Sequence, residues 1–449
     1  MDPMATSGDD RMNGHQGSNR LVDLVDTYCR RVYPAVLSQH EGTSVSSPLG
    51  VWLLLAACAS TPKGSRLEPV LGCSAAEASQ LLSSFLADPP PALRTALALW
   101  VAADDTTPAL DAWSAALPPA VETGALPSRQ EVDAWAERQT LGLMKHFPME
   151  MNPLTRLTLA SALATKISWK RPLTLLSSDD ALKAGPWAGQ VQQVLGDYRP
   201  KGNSMLATTR AAGVVAVHTA LAAEEAAVVS VSADPTVARE AVLAGAHEVA
   251  SMFRGLPVAA VKRSLFDVPL GEGHSWVISE QPTGGYDHDE WIMWVTLPAW
   301  KAEGTLDLRT SDLFGTDPAL TALLDLIGPH PKGDKLAARQ AAMASYTQYG
   351  FEAGGISGLD AQALAMTRPL EEGLERSAEL RFDHPYAVLA LAGRAESFTG
   401  HNQVKSRLFG LPLFSAWIAT PEEPEPDSYS DPDLTEWLEA HPPSLLDFG

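Results

Sequence analysis

Residues 131–172 read EVDAWAERQTLGLMKHFPMEMNPLTRLTLASALATKISWKRP, and the two halves of this stretch follow different rules. Ser128-Arg129-Gln130-Glu131 is a capping box that opens a helix with Val132, Trp135, Ala136, Leu143 and Met144 on its apolar side. Over residues 156–169 apolar and small residues alternate in part, which predicts a strand.

On the N-terminal side, Leu21, Leu24, Val25, Tyr28 and Val32 recur at helical spacing, and residues 43–46 are short and β-prone. Ser47-Pro48 sets an N-cap before a proline suited to the first turn, and the GVWLLLAACA that follows is apolar on all sides, so this helix is buried. Ser74 to Glu77 is a second capping box. On the C-terminal side, residues 235–253 and 317–327 read as helices. EWIMWVTLPAW (290–300), FDHPYAVLALA (382–392) and LPLFSAWI (411–418) read as strands. Helices come first and strands crowd the second half, which makes the class α+β with a largely antiparallel sheet system.

The chain has 449 residues and a net charge of −21. With 45% hydrophobic residues it can bury a large core, and length alone suggests two or three domains. The acidity argues against nucleic acid or an anionic membrane as a partner. Nine of the acids fall in the proline-broken stretch 420–449, which has no Lys or Arg; removing them leaves −12. Residues 421–449 are expected to be a solvated tail and residues 1–19 a disordered extension. The start of the chain does not look like a Sec signal, and the longest apolar run, 51–59, is about half a membrane span. A soluble, cytoplasmic protein is expected, or an extracellular one if exported by a route the sequence does not show. Cys29, Cys58 and Cys73 form no CxxC and are expected in the core.

Signatures of catalysis are absent: there is no GxGxxG, Walker loop or HExxH. Gly355-Ile356-Ser357-Gly358 fails as a nucleophile elbow because Leu359 stands where the second glycine is needed. His288, among Asp287, Asp289 and Glu290, lies on extended chain, where neighbouring side chains point to opposite faces and cannot converge on an ion. His384, held extended by Pro385 at the start of a strand, reads as structural. Trp135, Trp169, Trp291, Trp294 and Trp300 sit in apolar settings and are expected in the core. No enzyme activity, metal or cofactor is expected.

Several segments occur in the order found in serpins. GTSVSSPLGVWLLLAACASTPKGSRLEPVLG (42–72) resembles the serpin strand, buried helix and "KG…VLG" ending. Residues 131–172 resemble the helix that crosses the main sheet and that sheet's third strand, with Trp169 at the breach. MWVTLPAWKAEGTLDL (293–308) and the two last strands are similar to their counterparts, while residues 175–285 match poorly. The chain resembles a divergent, bacterial-type member. The resemblance implies a single domain over residues 20–420. It would have a large, mostly antiparallel central sheet, two smaller sheets, about eight or nine helices and an exposed reactive loop. In that family a protease cuts the loop, which inserts as a new strand into the central sheet and carries the acyl-bound protease with it.

The resemblance places the loop hinge at Gly350, Phe351, Glu352, Ala353, Gly354, Gly355, Ile356 and Ser357. Insertion needs small side chains at alternate positions: Ala353, Gly355 and Ser357 comply, and Phe351 does not. Phe351 is expected to overpack by about 1–3 kcal/mol. Each of Gly354, Gly355 and Gly358 weakens a strand by about 0.5–1 kcal/mol. Leu364–Ala365 is the implied scissile bond, with Met366 and Arg368 as other candidates. Ser47, Ser161 and Gln340 align with the polar cluster that controls opening of the sheet. The implied function is suicide-substrate inhibition of a serine protease by a monomer. A chymotrypsin- or subtilisin-like target suits Leu364, and a trypsin-like one suits Arg368. A non-inhibitory binding or scaffold protein is the alternative, and an enzyme built on the fold comes third.

Overall fold

A computed structural model describes residues 9–140, 142, 144–147, 155–176, 182, 185–198, 204–256, 260–282, 290–328, 335–352, 374–394, 398 and 407–424. Along the chain come α1 (Asp9–Ser38), β1 (Ser44–Ser46), α2 (Pro48–Ala59), α3 (Glu68–Leu71), α4 (Ala75–Ala87) and β2 (Arg94–Val101). Next are α5 (Pro108–Ala115), β3 (Val121–Ala125), α6 (Arg129–Gln139), β4 (Thr155–Ala164) and β5 (Lys166–Ser168). The middle supplies β6 (Thr174–Leu176), β7 (Val194–Tyr198), β8 (Ser204–Thr209), β9 (Gly213–Leu221), β10 (Ala226–Ser232), α7 (Arg239–Phe253), β11 (Val261–Arg263), β12 (Gly271–Glu272) and β13 (Trp276–Pro282). The last third holds β14 (Glu290–Pro298), β15 (Trp300–Asp307), α8 (Thr316–Ile327), β16 (Lys335–Tyr346), β17 (Gly350–Glu352), β18 (Leu374–Arg381), β19 (Tyr386–Ala392) and β20 (Pro412–Ile418).

Three sheets result. The main sheet runs β3-β2-β4-β16-β17-β5, with β15 also on β16. It is mostly antiparallel, with parallel pairs at β2–β3 and β4–β16. The second sheet, β1-β20-β19-β10-β9-β8-β11, is antiparallel throughout, and the third runs β12-β13-β18-β14-β7-β6. The α+β class with three sheets stands, and among the described residues the main and second sheets have seven strands each and the third six.

The larger of two hydrophobic clusters among the described residues runs from Leu21 to Ile418 through all three sheets, so the two or three domains suggested by length are one. Every residue of α2 is buried at the centre of the fold. The helix α6 lies over the opposite face, where β2, β4 and β16 present Ala96, Ala98, Ala160, Ala162 and Ala341. Those small residues let Trp135 settle edge-on against Trp100 and Phe147, with ring centroids 5.1 and 5.5 Å apart.

Some boundaries differ from expectation. The extension expected to be disordered over 1–19 is helical from Asp9. Propagation onto the buried turns of α1 is cheap once they have formed. The strand expected over 290–300 is two. Pro298 ends β14, Ala299 donates its N–H to Gln193 O at 2.8 Å, and the chain crosses to the main sheet as β15. The acidic tail, expected to be solvated from residue 421, is bound at its root. Lys301 N–H donates to Glu422 O at 2.7 Å, and Gln193 N–H donates to the Glu423 carboxylate at 2.9 Å. The rest of the tail lies outside the described residues. No described helix is long and apolar enough to cross a membrane.

Candidate functional site: the opening at one end of the main sheet

β4 and β16 lie side by side from the Thr155–Lys335 pair to the Ala162–Ala341 pair. Beyond that level β16 continues to Tyr346, and β17 takes the place beside it. β17 runs antiparallel to β16, with Tyr346 opposite Phe351 and Ser345 opposite Glu352. It is also antiparallel to β5, with Gly350, Phe351 and Glu352 opposite Ser168, Ile167 and Lys166. β17 therefore lies between β16 and β5, and its last described residue, Glu352, stands opposite Ser345, four positions along β16 from the Ala162–Ala341 pair.

A tight turn reverses the chain. Thr347 N–H donates to Gly350 O at 2.9 Å, and Thr347 Oγ1 accepts from the N–H groups of Tyr349 and Gly350 at 3.3 and 3.2 Å. Trp169 clamps the turn from outside. Its backbone N–H donates to Tyr349 O at 2.8 Å and its indole N–H to Thr347 O at 3.0 Å. A Cβ on Gly350 would lie 2.2 Å from the backbone oxygen of Ile167, so glycine alone lets β17 approach β5 this closely.

Phe351 is buried, with its ring 6.0 Å from that of Trp300, edge to face. Tyr346 stacks on Trp300 at 6.1 Å and meets Trp169 at 4.9 Å. At this level of the sheet the side chain expected to overpack has an aromatic seat prepared for it. Behind the opening, Ser168 N–H donates to the Glu224 carboxylate at 3.0 Å. Burial raises the Glu224 carboxyl above its ordinary value, and that N–H draws it part of the way back.

Deeper in the sheet, Gln340 bridges to the start of α2. Its Oε1 accepts from Ser47 N–H at 3.0 Å and its Nε2 donates to Ser47 O at 2.7 Å, while Ser47 Oγ donates to Leu413 O at 2.6 Å. Ser161 stands opposite Gln340 in the strand register, yet its buried Oγ has no hydrogen-bond partner among the described residues. The structure thus joins Ser47 to Gln340 and leaves Ser161 beside them unbonded. Replacing Gln340 by Leu removes both bonds and strands the Ser47 N–H, while Ser47 O keeps the Gly50 N–H at 3.0 Å; the change is expected to cost about 1–3 kcal/mol in denaturant melts. An unchanged midpoint with an unchanged slope would show that the amide holds nothing.

Of the other residues singled out in the sequence, Ala353, Gly354, Gly355, Ile356, Ser357, Leu364, Ala365, Met366 and Arg368 lie outside the described residues, as does the Glu352 side chain. Trp291 and Trp294, expected in the core, are about half exposed at 46% and 44%, because they sit on the third sheet near its surface. Sequence reasoning missed the Thr347 turn, although Thr-x-x-Gly directly after a strand is a turn signal. It also missed the joint role of Trp300 and Tyr346, which pairwise spacing cannot reveal. Among the described residues no three His, Cys, Asp or Glu side chains gather as a metal site.

No family model matches the sequence, and no curated protein matches it. Solved structures match it along most of its length. Serpin48, a highly specific serpin of the insect Tenebrio molitor, is 16% identical and has a TM-score of 0.55 over 90% of this chain and 99% of its own. Human thyroxine-binding globulin in complex with its hormone is 14% identical, with a TM-score of 0.60 over 91% of this chain and 100% of its own. Tengpin, a thermophilic serpin in its native state, is 14% identical, with a TM-score of 0.58 over 89% and 93%.

Proposed function

From a chain with the serpin fold, we propose an inhibitor of a serine protease that acts once, by loop cleavage and strand insertion. The observation that supports this most is β17, three residues of strand already paired on both sides directly above the closed β4–β16 pair. Carried on in the same register, residue 357 comes opposite Gln340 on one side and Ser161 on the other. Residue 362 comes opposite Lys335, the first residue of β16. Ser357 would then share the face of Phe351, next to the unpartnered Ser161 hydroxyl. Residues 353–373 span from β17 to β18, long enough to reach that point with Leu364, Ala365, Met366 and Arg368 beyond it. Leu364 before the cut suits a chymotrypsin- or subtilisin-like protease, and Arg368 a trypsin-like one.

A second function, a serpin-fold binding protein that does not inhibit, is favoured by Phe351. Its seat against Trp300 and Tyr346 fixes the hinge before any cleavage. Incubation with chymotrypsin-, subtilisin- and trypsin-like proteases separates the two. An SDS-resistant covalent band, with the new N-terminus sequenced between residues 364 and 369, supports inhibition. Clean cleavage without a band supports the second function and rejects the first.

A further inference from the structure

A chain of side chains, buried at Ser232, Ser275 and His384 and half-buried at its two ends, joins the second sheet to the third. His384 Nδ1 lies 2.8 Å from Asp383 Oδ1, and its Nε2 lies 2.9 Å from Ala233 O and 3.0 Å from Ser232 Oγ. Ser232 Oγ lies 2.9 Å from Ser275 Oγ, which lies 2.9 Å from His274 Nδ1. His274 Nε2 ends the chain 3.2 Å from Val214 O. An Asp–His–Ser order invites thought of a hydrolase. Ser232 and Ser275 are 0% and 1% exposed, so no substrate carbonyl can reach either hydroxyl.

The acceptors decide where the protons lie. A backbone carbonyl only accepts, so Val214 O fixes the His274 proton on Nε2, and Ala233 O requires a proton on His384 Nε2. The Asp383 carboxylate requires another on His384 Nδ1. His384 is then an imidazolium and donates toward Ser232. Ser232 donates to Ser275, Ser275 donates to His274 Nδ1, and every group in the chain is satisfied. A second proton, on His274 Nδ1, would turn both hydroxyls around and aim Ser232 O–H at the His384 N–H. Loss of the existing proton would leave Ala233 O facing a bare nitrogen.

We infer that this chain is a latch set by one proton, holding the third sheet to the second and loosening when a second proton is added or the first is lost. The seam it holds includes the end of β18, because Arg381 N–H donates to Ser275 O at 2.8 Å. The charged groups around the two rings are Asp383 and Asp234, with Arg381, Glu379 and Glu272 one step out. Burial opposes charge on His384, but its bonds to Asp383 and Ala233 outweigh burial and raise its pKa above the ordinary 6.5. Burial lowers that of His274, the Val214 carbonyl raises it in part, and the neighbouring His384 adds to the lowering. The His384 contribution to stability is therefore full at acid pH and is lost as pH climbs through its raised value. The His274 contribution is full above 6.5 and is lost as pH falls from there through its lowered value.

The test uses the full chain with 15N-labelled histidine. At pH 7 one ring carrying both N–H protons is expected, absent from His384→Asn, together with a His274 ring protonated on Nε2 alone. Hydrogen exchange of β13 and β18, corrected for intrinsic rates, should be slowest near pH 6.5. Protection should fall on either side by about tenfold for each unit separating the held and free pKa values. His274→Asn should remove the acid limb and keep the alkaline one. Flat protection from pH 5 to 8, an acid limb that survives in His274→Asn, or a singly protonated His384 at pH 7 overturns the latch. The ring spectra need no variant, so a poorly folding His384→Asn leaves the test intact. None of these readouts involves a protease, so the latch and the proposed inhibition stand or fall separately.

Discussion

Cutting the chain between residues 362 and 374 is expected to raise the melting temperature by about 10 °C, each net kcal/mol being worth roughly 1 °C in a chain this long. The intact chain holds three residues of β17 between β5 and β16 while β18 anchors the far end of the same segment. Release of that end lets residues 353–362 continue the strand between β16 and β4, so that two antiparallel ladders replace the one parallel ladder that joins them. Gly354, Gly355 and Gly358 subtract about 1.5–3 kcal/mol from the gain. Phe351 subtracts little, because its seat is already occupied. Differential scanning calorimetry of cut and uncut protein, with the cut placed by mass spectrometry, gives the answer. A melting temperature that stays level or drops after cleavage means that the strand does not insert.

Ser357→Arg is expected to abolish that rise and to turn any covalent band into clean cleavage. The extended register brings residue 357 between Ser161 and Gln340, both buried at the start of α2. Among the described residues, Ser47, Ser161 and Gln340 at this place offer a guanidinium no carboxylate, and burying it there costs several kcal/mol. Uncut Ser357→Arg is expected to melt as the unaltered chain does. Ser357→Ala, small and neutral, should keep the rise. A melting rise in Ser357→Arg equal to that of the unaltered chain would disprove the register.

Much of the fold was legible because its signals are local. The capping box at Ser128 and Glu131 forms as read, with both reciprocal bonds present. The all-apolar run after Pro48 is the most buried helix of the molecule. What stayed hidden depends on partners far apart in sequence. Ser47 and Gln340 are 293 positions apart, and Ser232 and His384 are 152, so neither pair leaves a periodicity to detect. His384 was expected to be structural from its proline, which fits its place before β19, but nothing near it announced Ser232 or Ser275. Within residues 175–285, β9 is buried over its last seven residues and β10 over all seven, so neither shows the alternation by which a strand is read.

The position of β20 has a consequence for synthesis on the ribosome. It lies between β1 and β19, so Ser44 must wait for Trp417, its partner in the second sheet. At about 5–20 residues per second, that wait is roughly 20–75 s. For that interval β1 and the apolar α2 beside it have no finished sheet to rest on, and the nascent chain depends on chaperones or on provisional contacts. Folding of the second sheet therefore cannot be completed before the chain has been made as far as Ile418.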